Sequence, residues 1–440
     1  MKQKAAFYTL GCRVNQYETR AIEEAFERRG FEIGSFDEKC DVYIINTCTV
    51  TAESDRKSRQ FIRRAYKNGG GDAVVIAVGC MVQVSPEETK EILGLDCAIG
   101  SKDKMACVDK AIELLMKKRG AAALADDAER TDTDSMCITS PDGTRAFLKI
   151  ADGCDNHCAY CIIPKARGEV TSKKEEDVCR EAAILADGGC REIVLTGIET
   201  AAYGKDTGSD LITLIEKVNA LDCGLCRIRL GSLEPTVIKE NSVKRLASCE
   251  KLMPHYHLSL QSGSDGVLRR MRRKYNTAQF YNVVGMLREN IKDVAVTTDI
   301  IVGFPGETER EFEETANFVR KCGFMYVHIF PYSDRAGTEA SGMDGKIPEP
   351  EKKRRAARLR EVMLETRREA LGRFIGTERK VLVETIKDGY ASGYTENYIE
   401  TRFKASEATR ENTVVSVVLT EIADDAEYVV AALSDKKPEE

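Results

Sequence analysis

The chain has 440 residues, 42% hydrophobic and 31% charged, with 66 basic and 72 acidic side chains for a net charge of −6. That is the composition of a globular protein with ample core, and at about 150 residues per domain it has room for about three domains. The charge balance excludes a uniformly basic nucleic-acid binder, and no apolar run is long enough for a membrane helix. The N-terminus lacks the apolar stretch of a signal peptide, so a cytoplasmic protein is expected. In a reducing compartment, 16 cysteines point to metal or catalysis where they cluster and to packing where they stand alone.

Over residues 1–116, apolar runs at Ala6–Leu10, Val42–Ile45 and Ala73–Val78 predict strands. Ala21, Ile22, Ala25 and Phe26 recur at helical spacing before Gly30, where a helix should end. This βαβ pattern implies a parallel sheet. Residues 117–145, rich in Ala, Asp, Thr, Ser, Pro and Gly, read as a linker. Over 146–376, strands are predicted at Phe147–Ile150, Glu192–Leu195, Cys226–Leu230, Tyr256–Leu260, Val294–Ile301 and Met325–Phe330. Helices are predicted between them at Glu175–Asp187, Asp210–Leu221, Thr236–Ala247, Ala278–Asn290 and Thr308–Lys321. This alternation predicts a partial (β/α)6 barrel. A charged helix at Glu351–Arg373 follows. Residues 377–440 carry strand-like runs at Lys380–Thr385, Tyr390–Thr401, Val414–Ile422 and Tyr428–Leu433, the pattern of a small antiparallel β-barrel. The expected class is α/β: an open parallel sheet, a partial barrel and a terminal β-barrel.

Cys154, Cys158 and Cys161 form a C-x3-C-x2-C group after the first barrel strand. Structural zinc wants four ligands in a closed site. Three thiolates suit an iron–sulfur cubane with one iron open to a cofactor or substrate. His157 is the alternative fourth ligand. Cys12, Cys48 and Cys80 each follow the carboxyl end of a predicted strand, and in an open parallel sheet those ends share one edge. A second cluster or three core cysteines are the readings this leaves. Cys223 and Cys226 precede the third barrel strand and read as structural. Cys40, Cys97, Cys107, Cys137, Cys179, Cys190, Cys249 and Cys322 read as packing residues.

The group around Cys154, with Tyr160 before the last cysteine, resembles that of radical S-adenosylmethionine enzymes. The stretches Thr9–Thr19, Asn46–Val50 and Gly79–Gln83 are similar to the methylthiotransferase N-terminal domain, and the resemblance continues through Asp152–Gly168, Leu233–Pro235, Leu258–Gly263 and Phe330–Ser333. Gly393–Tyr398 resembles a TRAM domain, which holds RNA in that family. Leu10–Thr19 is similar to the MtaB-type branch, which acts on threonylcarbamoyladenosine beside the tRNA anticodon.

The resemblance implies two four-iron–four-sulfur (4Fe–4S) clusters, one on Cys154, Cys158 and Cys161 to cleave S-adenosylmethionine, the other on Cys12, Cys48 and Cys80 to present sulfur. It also implies cofactor contacts at Tyr160, Gly197, Glu199, Glu234, Gln261 and Asp299, a tRNA substrate, an electron donor and a sulfur donor. Arg13–Thr19, beside Cys12, is expected to help shape the pocket for the target base. Glu199 after Thr196-Gly197-Ile198, and Gly231 before Ser232, depart from the usual pattern. The rival readings are an isopentenyladenosine or ribosomal-protein substrate, a cobalamin-dependent methylase and a non-catalytic RNA scaffold. Residues 377–440 hold 8 basic and 14 acidic side chains, so basic character is local. Arg269, Arg270, Arg272 and Arg273 are expected at RNA phosphates, and Tyr394, Asn397 and Tyr398 at nucleotides.

Overall fold

The computed structural model describes residues 2–119, 136–141 and 143–434. The chain forms two compact units. One comprises Met1–Thr139, Ala151–Thr171 and Ser333–Ser341; the other comprises Ser140–Ile150, Ser172–Tyr332 and Gly342–Glu440. The sequence divides by architecture at 116, 145 and 376, whereas the units group the cysteine loop after Asp152 with the N-terminal sheet. They also group the terminal β-barrel with the central strands. Most of the expected linker, 120–135, lies outside the described residues.

The first unit is built on a parallel sheet of β1 (Lys4–Thr9), β2 (Glu32–Ile33), β3 (Val42–Thr47), β4 (Val74–Gly79) and β5 (Cys97–Ile99), in the order β2-β1-β3-β4-β5. β3 and β4 are buried along their whole length, because helices cover both faces of the sheet. Val42, Ile44, Val74 and Ile76 pack with Ile22 and Phe26 of α1 (Arg13–Arg28). The alternate residues Tyr43, Ile45, Val75 and Ala77 pack with Ile62 and Ala65 of α2 (Ala52–Asn68). This two-sided burial is why these strands read as continuous apolar runs. β2 and β5, at two and three residues, are too short to leave a periodic signal. Three further helices, α3 (Cys80–Val84), α4 (Pro86–Lys90) and α5 (Ala106–Arg119), complete this stretch.

The second unit contains β6 (Arg145–Asp152, its first six residues), α6 (Ile163–Arg167) lying in the first unit, β7 (Thr171–Ser172), α7 (Glu175–Asp187), β8 (Glu192–Gly197), α8 (Leu211–Asn219) and β9 (Arg227–Leu230). α9 (Glu240–Ala247), β10 (His255–Gln261), α10 (Asp265–Arg270), α11 (Thr277–Asn290), β11 (Ala295–Val302), α12 (Glu309–Cys322), β12 (Tyr326–Pro331) and α13 (Glu349–Gly372) follow. The strand orders are β7-β6-β8-β9 and β10-β11-β12, joined by parallel bridges Ile228↔Leu252 and Leu233↔Leu258. The result is a partial parallel barrel. Tyr256, Leu258 and Leu260 of β10 are at most 1% exposed on the helix-covered side, while His257, Ser259 and Gln261 line the other face. Capping boxes at Asn276/Gln279 and Thr308/Glu311 start α11 and α12, satisfying backbone N–H groups that have no helical partner.

The terminal strands β13 (Glu378–Lys387), β14 (Tyr390–Thr395), β15 (Glu400–Lys404), β16 (Val414–Ile422) and β17 (Val429–Leu433) close as β13-β14-β15-β17-β16. The run Tyr390–Thr401 is therefore two strands with a turn at 396–399, not one. The barrel core of Val381, Val383, Phe403, Val417 and Leu419 continues into Ala370, Leu371 and Phe374 at the end of α13.

Candidate active site

Each cysteine of the N-terminal triad stands where a β-strand or its following loop gives way to a helix. Cys12 caps α1, Cys48 follows β3 and Cys80 opens α3 directly after β4. Side chains of the same motifs staple the three turns together. Asn15 Nδ2 donates to Leu10 O at 2.6 Å and to Thr47 O at 3.1 Å. Thr47 Oγ1 donates to Val78 O at 2.7 Å and accepts from the Met81 N–H at 3.2 Å. Gly11 has φ +98°, and a Cβ there would stand 2.7 Å from Cys48 Sγ, so only glycine lets the Cys12 turn approach Cys48. Burial pushes the Cys48 thiol pKa up, and the neighbouring Cys80 and Cys12 sulfurs push it the same way against the Val50 N–H. A cation bound among the three sulfurs would reverse that shift and favour the thiolates.

Cys154, Cys158 and Cys161 sit on one loop of the same unit. The Cys154 N–H donates to Gly168 O at 3.0 Å and the Ile163 N–H to Cys161 Sγ at 3.5 Å. A Cβ on Gly153 would stand 1.8 Å from Glu169 O, so the loop closes on itself through glycine. His157 is exposed. Tyr160 is half-buried in the turn before Cys161.

Among the described residues, His257, Asp299 and His328 form a group of three whose ligand atoms all lie within 4.8 Å of one another. Tetrahedral zinc, with Zn–S of about 2.3 Å, holds its sulfurs less than about 4 Å apart. Such a site is closed by four ligands, whereas three cysteines per set suit a cubane, whose corners bind separate irons and leave one open.

Arg167, at the end of α6, was not singled out from the sequence. It is 6% exposed, and its Nε lies 3.2 Å from Cys80 Sγ. Its Nη1 donates to Glu18 Oε1 at 2.6 Å and to Asp152 Oδ2 at 3.0 Å. Lys104, 1% exposed, contacts Glu18 and donates to Asn46 Oδ1 at 2.8 Å and Asn15 Oδ1 at 3.2 Å. Within Arg13–Thr19, Asn15, Glu18 and Thr19 thus belong to a buried network, and Tyr17 donates to Met136 O. These residues hold the cysteine turns in place, while Arg13 and Gln16 of the same stretch are exposed beside Cys12.

In the second unit, Gly197 ends β8 and Glu199 follows it, while Glu234 follows β9. Burial and then the Glu234 carboxylate push Glu199's pKa up to about 7, against Arg273. Arg273 Nη2 lies 3.4 Å from Glu234 Oε1. Gln261 ends β10 at φ +70°, beside a register shift. A non-glycine residue in that region stores strain, which concentrates at functional sites. Asp299, on β11, faces the same side as His257 and His328. These polar groups lie on the inner faces or carboxyl ends of the strands, where parallel barrels build their sites.

The arginine run divides. Arg269 and Arg272 are exposed, but Arg270 holds Glu311 through two bonds of 2.9 Å, and Arg273 has Glu234 and the Tyr275 ring. Arg270 and Arg273 are therefore engaged internally. Tyr394, Asn397 and Tyr398 also have partners within the chain. Asn397 is fully buried, and Tyr398 stacks on His255 and Tyr394 with centroids 4.7 and 4.5 Å apart. Arg145 donates to the Tyr398 hydroxyl at 3.1 Å, and Arg229 to Thr395 O and Glu396 O at 2.8 Å each. Burial alone would push the pKa of the fully buried Glu192 up, but Arg229, Arg145 and Arg227 outweigh it and bring it down. This cationic pocket fixes the terminal barrel to the amino ends of the central strands, a use of aromatic residues that a strand pattern does not distinguish from base stacking.

Residues 148–319 match the family model described as the Radical SAM superfamily, and residues 4–100 match the one described as Uncharacterized protein family UPF0004. The chain is 39% identical over 411 residues to the threonylcarbamoyladenosine tRNA methylthiotransferase MtaB of Bacillus subtilis, covering 91% of this chain and 90% of the relative. It is 39% identical over 400 residues to the MtaB of Aquifex aeolicus, covering 90% and 96%. It is 33% identical over 389 residues to the tRNA-2-methylthio-N(6)-dimethylallyladenosine synthase of Acetivibrio thermocellus, covering 86% and 80%. Among solved structures, the radical S-adenosylmethionine methyltransferase TsrM of Kitasatospora setae, with cobalamin and a 4Fe–4S cluster bound, aligns with TM-score 0.54 over 75% of each chain. At 14% identity that likeness is one of fold.

Proposed function

The chain belongs to the threonylcarbamoyladenosine tRNA methylthiotransferases, and on that premise we propose that it inserts a methylthio group at C2 of this nucleoside beside the tRNA anticodon. The observation that carries the reading is the convergence of Cys12, Cys48 and Cys80 on one sheet edge, in the same compact unit as the Cys154 loop. When bound, a 4Fe–4S cluster on Cys154, Cys158 and Cys161 would supply the electron that cleaves S-adenosylmethionine, and a second on Cys12, Cys48 and Cys80 would present the sulfur.

The chain's own residues orient and shield. Asn15 and Thr47 fix the three turns that carry the N-terminal sulfurs, and Arg167 presents an N–H to Cys80 Sγ within the buried Glu18–Lys104 network. Glu199, whose carboxyl pKa is raised by burial and by the Glu234 carboxylate, can donate as well as accept a hydrogen bond at the carboxyl ends of the strands. Glu234 and Gln261 join it as cofactor contacts, and the exposed Arg269 and Arg272 meet tRNA phosphates. An electron donor and a sulfur donor complete the reaction, and we place it in the cytoplasm with its tRNA. Among the described residues no helix is long and apolar enough to cross a membrane.

The test is an anaerobic competition among tRNAs bearing threonylcarbamoyladenosine, isopentenyladenosine or unmodified adenosine, with products separated as nucleosides by mass spectrometry. Methylthiolation of the first alone is expected. Equal turnover of the isopentenyl tRNA would overturn the nucleoside assignment, and no methylthiolated nucleoside at all would overturn the reaction.

A further inference from the structure

The inner face of β10, β11 and β12 carries a polar group whose members sit on three neighbouring strands. In register, His257 lies opposite Thr297, and Asp299 lies opposite His328. His257 has both ring nitrogens engaged, Nδ1 at 2.9 Å from Thr297 Oγ1 and Nε2 at 3.2 Å from Asp299 Oδ2. It therefore orients Asp299. His328 is exposed, and its ring stands 5.6 Å from that of His257 and edge-on to Tyr326 at 4.7 Å. Two residues along the same face of β12, toward its carboxyl end, Phe330 is 50% exposed. The face thus grades from an imidazole–carboxylate pair to a bare aromatic ring.

We propose that Asp299 and His328 recognise the amino-acid arm of the substrate nucleoside, His328 taking its carboxylate and Asp299 its hydroxyl, with His257 as a positioning residue and Phe330 offering a face to the base. The proposal rests on the function proposed above. Threonylcarbamoyladenosine differs from its isopentenyl counterpart in carrying just such a carboxylate and hydroxyl. An acceptor and a donor with ligand atoms inside 4.8 Å match that arm in polarity and size. An apolar arm would take water from Asp299 and His328 without returning a hydrogen bond, which is how polar sites reject analogues. The sequence placed Asp299 among cofactor contacts; its neighbours here are two imidazoles.

The experiment uses the reconstituted full chain and two anticodon hairpins, one with native threonylcarbamoyladenosine and one with its carboxylate converted to the amide. Wild type is expected to prefer the native hairpin by about 100-fold in kcat/KM. His328→Gln should raise KM for the native hairpin by about tenfold or more while moving the amide hairpin less than about twofold, so the preference falls from about 100-fold to about tenfold or less. Asp299→Asn should lower turnover of both hairpins alike, since both retain the hydroxyl. Iron content and far-UV circular dichroism report that each variant is folded. Retention of the wild-type preference by His328→Gln overturns this inference alone, as does equal use of both hairpins by wild type. A stoichiometric divalent ion held by this triad in the holoenzyme and lost in His328→Gln also overturns it, because two histidines and a carboxylate are a metal set too. If wild type methylthiolates isopentenyl tRNA and not the native hairpin, the function proposed above falls and this inference with it.

Discussion

Replacing Glu18 by Gln isolates the charge network beneath the N-terminal cysteines. Glu18 is fully buried and is shared by Lys104 and Arg167, themselves 1% and 6% exposed. Glutamine keeps the shape and removes the charge, so two buried cations lose their common counter-ion. Breaking a buried pair from one side costs about 3–5 kcal/mol. Arg167 keeps Asp152 at 3.0 Å, so the lower end, about 3 kcal/mol at pH 7, is expected. Burial already holds Lys104's pKa below its ordinary value, opposed by Glu18. Without Glu18 it drops further, and the folded chain then binds fewer protons than the unfolded chain up to the ordinary lysine value. Stability of the variant therefore rises with pH, and its deficit narrows between neutral and alkaline pH. Urea unfolding followed by circular dichroism and by tyrosine fluorescence, usable because the chain has no tryptophan, measures both. Adding Lys104→Met should recover about 2 kcal/mol as a coupling energy. A loss below about 1 kcal/mol at pH 7, or a deficit that widens as pH rises, would refute the network as a buried ion pair.

Glu199→Gln should change the pH dependence of stability measured without cofactor. A carboxyl raised to about 7 binds a proton that the unfolded chain has lost, so wild-type stability falls as pH rises from the ordinary carboxylate value through about 7; the variant should lack that fall, worth up to roughly 3 kcal/mol. Gly11→Ala puts a methyl group 2.7 Å from Cys48 Sγ and should cost reconstituted protein about half its iron, read by iron analysis and electron paramagnetic resonance. Neutralising the exposed Arg269 and Arg272 should flatten the slope of log K for tRNA against log salt by up to about 0.7–0.9 per lost phosphate contact, whereas Arg270→Gln, which breaks the Glu311 pair, should chiefly lower stability.

Much of this molecule was legible in its sequence because its strands are either continuous apolar runs or bounded by strong breaks. The helix Glu175–Asp187 and the strand Val414–Ile422 coincide with expectation to the residue. The cysteines were legible because metal chemistry requires the residue type itself. Arg167, Glu18 and Lys104 were not, since a buried charge looks like any surface charge until its partner, 149 positions away for Arg167 and Glu18, is brought beside it. His257 and His328 were missed for a similar reason: the alternation that turns them to the inner face is visible, but their neighbours come from a different strand. The internal partners of Tyr394, Asn397 and Tyr398 were hidden for a different reason. A motif that suits nucleotide stacking suits equally well the stacking of a barrel on guanidinium groups.

The division of labour between the two cysteine triads is tested most directly by iron and product analysis of one variant, Cys12→Ala/Cys48→Ala/Cys80→Ala, beside wild type after anaerobic reconstitution. Wild type should hold about eight irons and the variant about four. The variant should still cleave S-adenosylmethionine to deoxyadenosine and make no methylthiolated nucleoside. Full iron content in the variant, or methylthiolated product from it, would contradict the account.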